Sequence, residues 1–385
     1  MSSPAAPAFP GSSPKAESAG SSRRRAGRRA RRPTVAVVGA ADHLGTLVTE
    51  RLVAEVEAGA IGKVLALDVE RGTAQHVTWR VGPLDAPDVA EQLRGADVVV
   101  MLAAPTDLAS ALAVPAAKRR DHAVRRAQAV ATACAAVGAQ RLVAVTSAMV
   151  LGAAADNPVP LPDDAPIAAV PDAGTVGDLL EIERVLARVH RTHPGVAVTV
   201  LRPSALVGPG VDTIVSRHFE APRLLVLRDG KTCWQFCHVA DLADAVATAV
   251  VQQLDGALTV ASESWLEQDD VERLSGMRRV ELPAALAFGT AERLHRVGVL
   301  PAPASDLAFV VHPWVVSSAR LREAGWAPVH DNETCLGELL EEVRGHHAVA
   351  SRRLDRKDAA LGAAGAAVAL VGTAALVRRR RGRRS

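Results

Sequence analysis

The sequence predicts an α/β fold, a doubly wound parallel sheet with a small C-terminal lobe, and three observations predict it. The first is the run Val35-Ala36-Val37-Val38-Gly39-Ala40-Ala41-Asp42-His43-Leu44-Gly45-Thr46, in which an apolar, β-branched stretch breaks at a glycine and continues as a helical pattern. The second is the alternation of short apolar runs with helix-length segments up to about residue 145, which implies parallel strands joined by right-handed crossovers. The third is a later strand that runs into the forced turn Gly208-Pro209-Gly210 and is followed by a further helix start near His238.

Taken in order, the elements follow from local chemistry. A strand over 35–38 turns at Gly39, and Gly45 lets the next helix pack closely on the sheet. The N–H groups of Ala41, Asp42, His43 and Leu44 at that helix start then point where a pyrophosphate would lie. In a G-x-x-G-x-x-G spacing the middle glycine is replaced by Asp42, which either caps the helix or repels an anion. The helix over 44–58 puts Leu44, Leu47, Val48, Leu52 and Val56 on one face, and Gly59 and Gly62 end it. The strand over 64–67 ends in Asp68, an acid suited to accept both ribose hydroxyls and to repel a 2′-phosphate, which favours NAD over NADP. A solvent-facing acid at a strand end is the plainer alternative. Further strands are expected over 77–81, 96–104 and 141–145, with a long Ala/Arg helix over 118–137. The fourth strand ends in the small residues Ala103 and Ala104, across which a cofactor can lie; the fifth runs into Thr146 and Ser147.

These segments resemble the NAD-dependent epimerase/dehydratase family of the extended short-chain dehydrogenase/reductase superfamily, which includes UDP-glucose 4-epimerase. The resemblance covers roughly residues 34–345. Val200-Leu201-Arg202-Pro203-Ser204-Ala205-Leu206-Val207-Gly208-Pro209-Gly210 is similar to the family's sixth strand and R-P-x-x-x-x-G-P-G turn. His238-Val239-Ala240-Asp241-Leu242-Ala243-Asp244-Ala245 resembles its H-V-x-D-L-A-x-A helix start, and Leu321 to Pro328 its closing L-x-x-x-G-W-x-P segment. The resemblance implies a Rossmann-like fold, an NAD cofactor and a substrate of UDP-sugar type. Without it, Arg202 and His238 read as structural residues next to turns, His238 tying the turn to the following helix.

The resemblance also implies a proton relay made of a Tyr, a Lys four residues later and a Ser. Ser147 stands at the serine position, five residues before Gly152. Aligned on Glu183, Thr175 stands at the Tyr position and Leu179 at the Lys position, and the chain contains no tyrosine. Threonine does not give up its proton near neutral pH without a strong base beside it. Asp178 reads as a surface acid in the first turn of a helix, favoured by the dipole. Pro83 and Met101 replace a family Asp and His. The candidate catalytic residues are therefore Ser147 and Thr175, and the candidate cofactor residues are Gly39, Ala41, Asp42, His43, Leu44, Gly45, Asp68, Ala103, Ala104 and Thr146, with no metal site. The function implied is dinucleotide and nucleotide-sugar binding without the standard relay; a catalytically silent sensor or scaffold at a membrane is the alternative.

Composition sets the surroundings. The net charge of +3 conceals thirteen arginines in two tails, which leaves the body between them strongly acidic and a poor nucleic-acid surface. The segments expected are a disordered Arg-rich tail over 1–32, a dinucleotide-binding domain over 33–210 and a lobe over 211–345, from which 236–252 returns to the main layer. A polar linker over 346–358, an apolar Ala-rich segment over 359–377 and a second Arg-rich tail over 378–385 complete the chain. The apolar segment is long enough to span a bilayer, but its Ala and Gly content makes insertion marginal, so membrane-surface association, spanning and a soluble helix all stay open. The basic N-terminal run lacks a signal-peptide core, so a cytoplasmic location with free thiols at Cys134, Cys233, Cys237 and Cys335 is expected. The partners in view are a small-molecule substrate, an anionic membrane surface and a second copy of the chain.

Overall fold

The computed structural model describes residues 31–344 except 105, 229, 298, 299 and 301, together with 348–349 and 352–353. Residues 1–30 of the tail expected over 1–32, the linker expected over 346–358 apart from 348–349 and 352–353, and the segments expected over 359–377 and 378–385 lie outside the described residues. The first half runs β1 (Thr34–Val38), α1 (His43–Ala58), β2 (Lys63–Asp68), β3 (Thr78–Val81), α2 (Val89–Leu93) and β4 (Val98–Leu102), then α3 (Leu108–Ala113), α4 (Ala116–Val137), β5 (Arg141–Val145) and α5 (Thr175–Thr192). After β6 (Ala197–Pro203) come β7 (Ala205–Val207), α6 (Ile214–Phe219), β8 (Leu224–Leu227), β9 (Cys233–Trp234), β10 (Phe236–His238), α7 (Val239–Val251) and β11 (Gly256–Val260). Two strands, β12 (Leu266–Glu267) and β13 (Arg279–Leu282), flank α8 (Gln268–Ser275); α9 (Ala284–Arg296), α10 (Ala308–Val311), α11 (Ala319–Glu323) and α12 (Asn332–Glu342) follow, and β14 (Ala348–Val349) pairs with β15 (Arg352–Arg353).

Seven strands form one parallel sheet in the order β3-β2-β1-β4-β5-β6-β11, so the order reverses between β1 and β4. That reversal opens a crevice at the strands' C-terminal ends, where such sheets bind ligands. The Rossmann-like class expected from the sequence is the observed one. Gly256–Val260 differs from the expectation for 211–345: it belongs to the central sheet beside β6, because its apolar run is buried on both sides.

The alternation of side chains along β1 builds two cores. Val35 and Val37 face α1 and α7 with Leu44, Val48, Leu52, Leu242 and Val246, while Ala36 and Val38 face Val130, Cys134, Leu179 and Leu186 on α4 and α5. Full burial of a side chain such as Leu52 contributes about 2 kcal/mol. All four cysteines are free and buried.

Two motif segments hold each other. The Asp241 carboxylate, in the first turn of α7, accepts the N–H groups of Val329 and His330 at 3.0 Å each, and Trp326 Nε1 donates to the Asp241 carbonyl. His238 caps α7 by accepting from Ala240 N at 3.2 Å, and a Cβ on Gly208 would lie 3.0 Å from its Nε2, so it ties the turn to the helix as expected. Among the described residues no helix is long and apolar enough to cross a membrane.

Candidate functional site

The site is built at the ends of β1, β2, β4 and β5. Gly39 turns off β1 with φ +90°, and a Cβ on Gly45 would lie 2.7 Å from the Ala40 Cα, so both positions require glycine. Asp42 is the N-cap of α1: its Oδ1 accepts from Gly45 N at 2.6 Å, and its Oδ2 is 3.4 Å from the Thr106 hydroxyl that donates to it. Burial raises the Asp42 pKa above its ordinary value, and the charge of Asp68 adds to this, while the Gly45 N–H works against it. Asp68 accepts Ala41 N at 2.9 Å through Oδ2 and Val69 N at 2.7 Å through Oδ1. Two of the turn's N–H groups, those of Ala41 and Gly45, are thus already satisfied by carboxylates.

Leu44 is 2% exposed and packs in the core, leaving only its backbone for a ligand, whereas His43 is exposed and its Cβ would be 3.5 Å from a Cβ on Gly210. Ala103 and Ala104 stand half-buried just past β4. Thr146 is fully buried and its hydroxyl donates to Glu183 Oε1 at 2.8 Å; the same carboxylate receives Arg202 Nε at 3.0 Å and Nη2 at 2.6 Å. Arg202 therefore anchors β6 to α5, the structural part expected of it.

Ser147 and Thr175 come together on one cavity of about 40 Å³, bounded also by Leu179, Ser204, Ile214 and Trp314. The Ser147 hydroxyl accepts Met149 N at 3.2 Å, and Thr175 opens α5 after Gly174. Ser204 Oγ is buried without a hydrogen-bond partner. Asp212 also lines the cavity, but its carboxylate is gripped by Arg217 Nε at 2.8 Å and Nη2 at 2.6 Å and by Ala109 N at 3.0 Å. A carboxylate held as a bidentate ion pair is a weak base. The backbone of Asp212 donates to Thr106 O at 2.7 Å and accepts from Leu108 N at 2.9 Å, so the loop that carries Thr106 toward Asp42 is also clasped across this cleft.

Residues 35–258 match the model of the NAD dependent epimerase/dehydratase family, which is more than half of the chain. The chain belongs to that family. Uncharacterized proteins of Mycobacterium tuberculosis and Mycobacterium bovis are 25% identical over 307 residues, covering 76% of this chain and 80% of theirs. Similar solved structures include MoeE5 in complex with UDP-glucuronic acid and NAD (TM-score 0.59, 20% identity, 81% of this chain and 99% of that one). The dTDP-glucose 4,6-dehydratase DesIV from Streptomyces venezuelae with NAD bound has TM-score 0.59 and 18% identity over 81% of this chain and 96% of its own. A UDP-galactose 4-epimerase gives TM-score 0.57 at 17% identity over 81% and 98%. At these identities the likeness is one of fold.

Against this family frame, one local reading is corrected. Asp178 is 6% exposed and binds the guanidinium groups of Arg119 and, at 2.9 Å, Arg120 on α4, so it is a buried tie between helices and not a surface acid. The cationic partners come from another helix, which a helix-dipole argument on α5 alone does not see. Asp212, Ser204 and Trp314 were missed as site residues for the same reason: each reaches the site from a distant segment. Near the turn after β7, His238 stacks on His330 at 3.8 Å and lies within reach of Glu338. Because His238 Nδ1 accepts from Ala240, its Nε2 carries the proton that Glu338 Oε2 accepts at 2.8 Å, which organises the group as hydrogen-bond partners.

Proposed function

We propose that this protein binds a nicotinamide dinucleotide across the ends of β1, β2 and β4 and a nucleotide-sugar-type ligand in the adjoining cleft, without the proton relay its family resemblance implies. The observation that carries the reading is the placement of the glycine turn, Asp68 and the Ser147–Thr175 cleft along one edge, at the point where the strand order reverses. The residues suit a dinucleotide in part. A Cβ on Gly39 would meet Arg126 Nη2 at 2.6 Å, and two nitrogens of that guanidinium, held against the turn, lack acceptors. In this reading Asp42 opposes a phosphate, and Asp68 takes a ribose and disfavours NADP. When bound, the dinucleotide would supply a hydride acceptor or donor. NAD together with UDP-sugars or a dehydratase in the similar structures supports the ligand class.

The chemistry of the cleft favours a silent binding protein over an active epimerase. Ser147 and Thr175 offer hydroxyls, Leu179 offers no charge, and Asp212 is held by Arg217. A cavity of about 40 Å³ holds water-sized guests, whereas ligand sites measure on the order of 300 Å³ or more, so a sugar requires Trp314 and the start of α6 to move. Titration of the full chain with NAD, NADP and UDP-glucose by calorimetry tests the reading. Binding of NAD in preference to NADP, with UDP-glucose binding strengthened by NAD, is expected; absence of any nucleotide binding would overturn it. A cytoplasmic location, membrane-surface contact through the C-terminal segment and pairing with a second copy stay secondary to this reading.

A further inference from the structure

One cation beside the glycine turn lacks the partners that its neighbours have. Arg126 reaches from α4 to the turn, and a Cβ on Gly39 would lie 2.6 Å from its Nη2. Its Nε and Nη2 are shielded from solvent and donate to no acceptor. Arg125, the residue before it, pairs with Asp121 and, at 3.6 Å, with Asp85. Burial lowers the Arg126 pKa from its ordinary value, and the charges of Asp68, Asp42 and Asp85 push it back up. The guanidinium stays charged in any case.

Those carboxylates do not complete it. Asp42 is engaged by Gly45 N and Thr106, and Asp68 by Ala41 N and Val69 N. A shielded guanidinium with idle donors costs stability until an acceptor arrives, and its planar fork matches phosphate oxygens. The guanidinium lies against the bare backbone of Gly39, beside the positive N-terminal end of the 16-residue helix α1. An unpartnered cation, a glycine turn and a helix start therefore meet at one point.

We infer that Arg126 binds the phosphates of the nucleotide held at the β1–α1 turn, restoring from α4 the positive charge that Asp42 takes away from that turn. The inference rests on the dinucleotide reading of this site. Asp42 and Arg126 are then a compensating pair: the acid caps α1, and the cation from across the sheet makes the capped turn tolerable to an anion.

The test is calorimetric titration of the full-length wild type, Arg126→Met and Arg126→Lys with NAD, ADP, adenosine and UDP-glucose. Loss of a charge-assisted pair weakens NAD and ADP binding by about 10–100-fold in Arg126→Met. Adenosine, which has no phosphate, changes by less than about twofold, and Arg126→Lys falls between the other two proteins because it keeps the charge without the fork. A merely structural Arg126 would weaken adenosine and ADP alike, and that result overturns the inference. So does tighter ADP binding by Arg126→Met, which makes the guanidinium a plug in the site, or a loss confined to UDP-glucose, which assigns it to the other ligand. Equal NAD and ADP binding by all three proteins removes the inference and leaves the dinucleotide reading standing. Failure of the wild type to bind either removes both.

Discussion

Asp42 holds two roles that a single substitution separates. It caps α1 through Gly45 N, and it places a partly desolvated charge near Asp68; the desolvation first, and then that neighbouring charge, raise its pKa. Asparagine keeps the cap and drops the charge. A group whose pKa is raised on folding stabilises the fold at low pH and loses that contribution as pH rises through the folded value. Asp42→Asn is therefore expected to be more stable than wild type at pH 7, with the difference vanishing toward pH 3, and Asp42→Ala to fall about 1 kcal/mol below Asp42→Asn for want of the cap; urea unfolding measures both. Asp306 gives the larger case: 2% exposed, with Oδ1 unpartnered, it is pushed up to about 8 by burial and then by the charge of Asp172. Its contribution is present below about pH 4 and is lost progressively up to about 8, at no more than about 1.4 kcal/mol per pH unit. Stability of the wild type minus that of Asp306→Asn, measured from pH 4 to pH 9, should show that slope and flatten above 8; a flat difference throughout would refute the assignment. Sequence could place Asp42 as a cap because the cap is closed within three residues. It could not find Asp306 or Arg126, whose surroundings are assembled from segments far apart in the chain.

The elements were the most legible level, since strands buried on both faces declare themselves as continuous apolar runs and α1 and α4 by their period and terminal glycines. The strand over 141–145 matches β5 to the residue, while β3 and β4 are shorter than their apolar runs because pairing stops before the apolar residues do. How elements are tied was less legible. Glu183 joins three of them, taking Thr146 beyond β5 and Arg202 on β6 from its place on α5, and all three residues are at most 7% exposed. Removing one partner of a buried ion pair leaves an uncompensated charge and costs about 3–5 kcal/mol. Glu183→Gln should lose about that much in denaturant unfolding, and Glu183→Leu combined with Arg202→Met should recover most of it, because the pair is then replaced by apolar side chains. A loss under about 1 kcal/mol in Glu183→Gln would mean that Arg202 finds another acceptor.

At the scale of the whole molecule, the sheet delivers the ends of β4, β5 and β6 to one cleft, and the segment around Trp314 together with the start of α6 closes it. This arrangement puts Ser147 and Thr175 on one cavity, yet it fills the space around them with Leu108, Met149, Leu179, Leu206 and Val215. Conversion of UDP-galactose to UDP-glucose needs a base for the sugar 4-hydroxyl. Thr175 has no route to that role, the chain has no tyrosine, and Asp212 is neutralised by Arg217. General acid–base help is worth about 10²–10⁴-fold, so wild-type interconversion followed by chromatography should stay at the level of the buffer control. Restoring the side chains alone should not rescue it. A benzene-sized guest takes up a cavity on the order of 150 Å³, several times the opening beside Thr175, so Thr175→Tyr with Leu179→Lys forces its ring against Trp314 and Ile214. The double variant is expected to be destabilised by about 1–3 kcal/mol and still inactive, and relief of the overpacking by Trp314→Ala should return stability before activity. Measurable epimerisation by the unaltered protein would show that a group other than Thr175 takes the proton, and the silent reading of the cleft would then be wrong.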